Sequence, residues 1–75
     1  MEARLTLAQH EAHVISRASS FRVTAFLGRG RYLIREAATL EDARMVGRAM
    51  LRQGHAPMIY ALYGCHQVHV ENVVA

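Results

Sequence analysis

Cys65, His66 and His69 lie close together near the C-terminus, and His10 and His13 lie three apart near the N-terminus. These are the side chains here whose types could hold a metal or attack a carbonyl. A structural zinc site needs four ligands converging on one point. Cys65 falls in a predicted turn, and His66 and His69 project to opposite faces of a predicted strand. No metal site is therefore expected. Cys65 and His66 fail as a nucleophile and base for the same reason, because adjacent strand residues diverge. Gly28-x-Gly30 lacks a third glycine and precedes a strand, so it is no dinucleotide fingerprint. No nucleophile elbow, phosphate loop or pair of catalytic carboxylates occurs. The sequence assigns no catalytic residue and no cofactor, and the chain is read as a non-enzyme.

The stretch FLGRGRYLIRE, residues 26–36, carries a different chemistry. Together with Arg22 it supplies Arg29, Arg31 and Arg35 beside Phe26 and Tyr32. Arginines that meet phosphates while Phe26 or Tyr60 stacks on bases would form a single-strand platform. The plainer alternative is a half-buried sheet face whose arginines reach past it to water or to carboxylates. No recognised RNA-binding signature surrounds them.

The elements that must position these residues follow from periodicity. Residues 6–18 read as a helix with Thr6 as its cap; Ala8, Ala12 and Ile15 lie along one side, with Leu5 and Val14 nearby. Residues 21–27 and 31–37 read as strands joined by a hairpin at GRGR. Residues 39–53 read as a second helix. Thr39 and Asp42 approximate a capping box, Leu40, Ala43, Val46, Gly47, Met50 and Leu51 form its apolar stripe, and Gly54 followed by Pro57 stops it. Met45, Met50 and Met58 read as core methionines. Residues 58–63 and 67–73 read as a second pair of strands turning on Gly64–Cys65. The fold class is α+β: a small four-stranded sheet of two β-hairpins with the helix 39–53 packed on one face, and an additional N-terminal helix that caps an edge or covers the other face. The whole chain, 1–75, is read as a single domain. Strand order is not specified by the pattern.

A two-residue turn at Gly28–Arg29 or at Arg29–Gly30 gives the more apolar face to the helix. Phe21, Val23, Ala25, Leu27, Tyr32 and Ile34 then point inward, and Arg22, Thr24, Phe26, Arg31, Leu33 and Arg35 point outward. A three-residue loop, Gly28–Arg29–Gly30 with Gly30 as a bulge, would shift the parity and set Arg31 and Arg35 on the face of Val23 and Ala25; the even loop gives the cleaner core and is the one expected. Across the second turn, Ile59, Ala61, Tyr63, His66, Val68 and Val70 point inward, leaving Met58, Tyr60, Leu62, Gln67, His69 and Glu71 outside. The expected interface residues are Phe26, Leu33, Met58, Tyr60 and Leu62, since an apolar patch of that size marks an interaction site.

Composition sets the remaining bounds. A chain of 75 residues builds a marginal core unless something staples it. One cysteine excludes an intrachain disulfide and suits a reducing, cytoplasmic setting. No apolar run is long enough to span a membrane. The net charge of +3, carried entirely by arginine among the Lys/Arg set, permits an acidic partner without demanding one. Self-association remains as the staple. The favoured reading is a small non-catalytic protein-interaction module that forms a homodimer, and the alternative is a nucleic-acid-binding module using Arg22, Arg29, Arg31 and Arg35.

Overall fold

A computed structural model describes residues 7–74. The elements run α1 (Leu7–Ser16), β1 (Ser20–Gly28), β2 (Arg31–Ala37), α2 (Leu40–Arg52), β3 (Pro57–Tyr63) and β4 (His66–Asn72). The fold is α+β, with one four-stranded antiparallel sheet in the order β2-β1-β3-β4. The expected Thr6 cap lies outside the described residues.

Helix α2 forms where the sequence marks both of its ends. Thr39 is extended, and its hydroxyl accepts a hydrogen bond from the Asp42 amide at 3.1 Å. This satisfies one of the amides left open by the first turn. At the other end the His55 amide donates to the Met50 carbonyl and the Gly54 amide to the Leu51 carbonyl. That pair of bonds is a Schellman closure, and Gly54 has the positive φ of 89° that it requires. Ala43, Gly47 and Met50 recur at helical spacing and are buried.

The core lies between α2 and one sheet face. Phe21, Val23 and Ala25 of β1 and Ile59 and Ala61 of β3 pack with Ala43, Met50 and Val73. Gly47 lets α2 approach the segment after β4 closely, since a Cβ placed there would meet Val73 Cγ2 at 2.6 Å. Arg44 ties the same helix to β4 through Glu71 at 2.7 Å. The hydrogen bond to that carboxylate, and then its charge, raise the Arg44 pKa above its ordinary value. Of the expected core methionines, Met50 is buried, Met58 is half-buried on the far face of the sheet, and Met45 is exposed.

Helix α1 packs on the same side of the sheet as α2. The His13 ring stands edge-on to Tyr63, and the His10 ring edge-on to His66. Tyr63 alternates with the buried Ile59 and Ala61, and His66 pairs with Tyr63, so both belong to the α2 side. Val14 is fully buried, and Ile15 and Ala18 pack against the core. Ala12, expected on the inner stripe, is exposed. The expectation that this helix caps an edge or covers the other face is corrected: α1 covers the β3–β4 side of the face that α2 already occupies.

The first hairpin departs from its expected register. Gly28 pairs with Arg31, so the turn is Arg29–Gly30, with φ of 54° and 71° at its two central residues. Positive φ at both is the type I′ geometry, whose twist matches that of the strands. Phe26 pairs with Tyr32, which leaves Leu27 as an extra residue in a β-bulge. The bulge shifts parity, so Leu33, Arg35 and Ala37 join Val23 and Ala25 on the helix side. Tyr32 and Ile34 turn outward. Two direct cross-strand pairs favour this register: Phe26 meets Tyr32 ring to ring at 5.2 Å, and Arg22 meets Glu36 at 3.2 Å. Because β2 is an edge strand, Arg31 and Arg35 reach water on the helix side without being buried.

The second hairpin turns on Gly64–Cys65 as expected, with Tyr63 opposite His66 and positive φ at Gly64 alone of the two. Near its far end Val70 is an extra residue opposite the Ile59–Tyr60 step. That bulge carries Glu71 to the helix side, where it meets Arg44, and corrects its expected outward position.

Two substitutions test this account. Gly47→Ala is expected to destabilise the fold by about 1 kcal/mol or more, because overpacking against Val73 outweighs the gain in helix propensity; a thermal melt at or above that of the parent chain would contradict the close approach. Arg29→Asn is expected to stabilise by about 0.5–1 kcal/mol, since Asn tolerates left-handed backbone and Asn-Gly suits the type I′ turn. An unchanged or lowered melting temperature would contradict that turn.

Candidate interaction face

With α1 and α2 both on one side, no described element covers the other face of the sheet. Its residues fall into cross-strand rows fixed by the register. Tyr32 stands beside Phe26. Ile34, Thr24, Met58 and Asn72 form the next row, then Glu36, Arg22, Tyr60 and His69, and finally Ser20, Leu62 and Gln67. Phe26 is 56% exposed, Tyr32 57% and Ile34 51%, which is high for side chains of this size on a strand. Met58, Tyr60 and Leu62 are half-buried among their neighbours.

Of the expected interface residues, the structure brings Phe26, Met58, Tyr60 and Leu62 together on this face. It removes Leu33, which packs against the core from the helix side. Tyr32 and Ile34 take its place, and sequence reasoning missed both. The available signal was the pairing itself: shifting one strand past the Leu27 bulge sets Phe26 against Tyr32 and Arg22 against Glu36.

The charged centre of the face is already internally paired. Arg22 donates from Nη2 to Glu36 and from Nη1 to Gln67 Oε1 at 3.1 Å. Its Nε is buried with no acceptor among the described residues. His69 shares a 2.7 Å hydrogen bond with Asn72, and its ring stands edge-on to Tyr60. The face is thus an aromatic and aliphatic field with a neutralised Arg–Glu pair at its middle and a polar border along β4.

The four candidate arginines do not assemble a basic platform. Arg22 lies on the face and is held by Glu36. Arg29 sits in the turn, and Arg31 and Arg35 project to the helix side, away from Phe26 and Tyr60. The histidines also divide: His10 and His66 meet on the helix side while His69 lies on the open face. Among the described residues, no group of three His, Cys, Asp or Glu side chains is arranged to hold an ion. Nor is any described helix long and apolar enough to cross a membrane. Comparison with known proteins adds no relative: no family model, curated protein or solved structure matches the chain.

This division has a measurable consequence. At low salt, single-stranded DNA or RNA is expected to show only weak, non-saturating attraction to the chain, with Phe26→Ala and Tyr60→Ala behaving like the parent. A loss of about 1–3 kcal/mol on either substitution, the usual worth of base stacking on an aromatic ring, would favour the nucleic-acid reading.

Proposed function

We propose that the chain is a non-catalytic interaction module that binds a second copy of itself through the open sheet face. The observation that carries this reading is the exposure of Phe26, Tyr32 and Ile34 on a face that neither helix covers. An antiparallel sheet commonly leaves one face in water, but such a face is ordinarily polar. Here six large apolar or aromatic side chains occupy it, and burial of the three exposed ones, Phe26, Tyr32 and Ile34, contributes up to about 1.5–3 kcal/mol each.

A second copy fits the chemistry of the patch. A two-fold contact places the same surface on both sides, so the patch has to be compatible with itself. Its central Arg22–Glu36 pair is neutral overall, so stacking two faces brings no net charge against like charge. Four strands about 4.8 Å apart and about seven residues long at ~3.3 Å each give a face of about 19 by 23 Å. Side-chain relief raises its accessible area above the plan area. Two such faces have a combined plan area of about 870 Å², so with that relief a contact using the whole face approaches the roughly 1,000 Å² that a specific interface clears. A dimer also supplies the staple that a core this small lacks. A cytoplasmic location belongs to the same proposal and rests on the single, exposed Cys65.

Sedimentation equilibrium over a wide concentration range tests the reading. A monomer–dimer equilibrium is expected, with a melting temperature that rises with concentration. Phe26→Glu is expected to shift the chain to monomer while leaving its circular dichroism spectrum intact, because Phe26 is already exposed in the single chain. A monomer throughout that range, or a dimer indifferent to Phe26→Glu, would reject the reading.

A further inference from the structure

We propose a second docking surface, independent of the sheet face: the free edge of β2, which accepts an extended acidic segment as a fifth strand. Strand β2 ends the sheet, and nothing described lies beyond it. A two-residue hairpin turn closes on a hydrogen-bonded pair, here Gly28 and Arg31, and pairing alternates from there. Arg31, Leu33, Arg35 and Ala37 thus direct their main-chain groups at β1, and Tyr32, Ile34 and Glu36 direct theirs outward. The Ile34 carbonyl does face out, for it is met by the Arg35 guanidinium at 2.9 Å.

Beside this edge, on the helix side, lies an open groove of about 260 Å³ between β2 and α2. Leu33, Val46, Ala49 and Met50 give it an apolar lining, and Arg35 and Gln53 supply its polar groups. A strand added to a sheet edge gains main-chain hydrogen bonds, and its alternate side chains enter whatever pocket flanks that edge. The edge and the groove are placed for one ligand to use both.

Charge selects the occupant. On the helix side β2 presents Arg31, Leu33 and Arg35 in succession. The ion pairs among the described residues are Arg22–Glu36 and Arg44–Glu71, so neither Arg31 nor Arg35 has a carboxylate partner there. Direct cross-strand neighbours stabilise one another when charges are opposite or both groups are apolar. The complementary strand is therefore acid, apolar, acid at alternate positions, with the apolar side chain entering the groove. That pattern reads the same in both directions, so it suits a parallel or an antiparallel addition. Arginines on an exposed edge also guard against indiscriminate pairing. Arg35 does so here by covering the Ile34 carbonyl, and a carboxylate on the incoming strand draws it away. A second copy pairing β2 against β2 lacks this complementarity, since it offers arginines in place of carboxylates.

The probe is a fluorescein-labelled peptide, Thr-Glu-Thr-Leu-Thr-Glu, titrated against the full chain at low salt and followed by anisotropy, with amide hydrogen exchange alongside. Saturable binding is expected, weakened about tenfold or more by Arg31→Glu with Arg35→Glu and by a Thr-Lys-Thr-Leu-Thr-Lys peptide. A peptide N-methylated at the amides that face β2 is expected not to bind, and Phe26→Glu is expected to leave affinity unchanged. The amides of Tyr32, Ile34 and Glu36 should exchange rapidly in the free chain and slow when the peptide is added. Absence of binding, or equal binding of the N-methylated peptide, would overturn strand addition. Slow exchange of those three amides before any peptide is added would assign the edge to a second copy and overturn the acidic occupant.

Discussion

Everything on the surface of this protein depends on one packing constraint: a single sheet face takes both helices. Strand β1 pairs antiparallel with β2 and with β3, so β2 and β3 run parallel with β1 between them. The connection from β2 to β3 has to pass over β1, and α2 is that connection. Its apolar stripe seals Val23, Ala25, Ile59 and Ala61, and Gly47 brings it down onto Val73. Helix α1 enters β1 through Ser19, whose amide donates to the Leu62 carbonyl at 2.9 Å, and its buried Val14 keeps it on the same side. With both helices on one face, no described element covers the other, which carries the exposed Phe26, Tyr32 and Ile34 beside the half-buried Met58, Tyr60 and Leu62.

How much of this could be read from the sequence depended on whether a local signal decided the point. Helix α2 was legible because its stripe, the Thr39 cap and the Gly54 stop all agree. The turn at Gly64–Cys65 was legible because one glycine leaves one choice. The first hairpin offers Gly28 and Gly30 around Arg29, and no local signal reveals that Leu27 bulges. Counting apolar residues favoured burying Tyr32 and Ile34. That count assumed that β2 lies under the helix, whereas β2 is an edge strand where arginine on the helix side still reaches water. Strand order, which makes β2 an edge, is a tertiary fact with no counterpart in periodicity.

The same bulge sorts the candidate residues by chemistry. Without it, Arg22, Arg31 and Arg35 would share a face with Phe26 and Tyr60, which is the basic, aromatic arrangement that a single-stranded nucleic acid uses. With it, Arg22 remains among the aromatics, and Glu36 arrives opposite to neutralise it. Arg31 and Arg35 move to the helix side, where they flank Leu33. An apolar, nearly neutral field and a basic edge are thereby separated onto opposite sides of one strand.

Because strand residues alternate, β2 contributes to both surfaces without sharing a side chain between them. Tyr32, Ile34 and Glu36 belong to the open face, and Arg31, Leu33 and Arg35 belong to the helix side, where Leu33 and Arg35 line the groove beside α2. Stacking a second sheet on the open face uses side chains that stand perpendicular to the sheet. Adding a strand at the edge uses main-chain groups that lie in its plane. The two associations call on different groups in different directions, so one does not consume what the other needs. A stacked pair of chains would still present two free β2 edges, one per chain. Two edges held together in the proposed dimer would bind a doubled acidic segment with an effective concentration set by their spacing. The proposed dimerisation through the face would thus bear on edge binding by multiplying the sites, while each site keeps its own complement of residues.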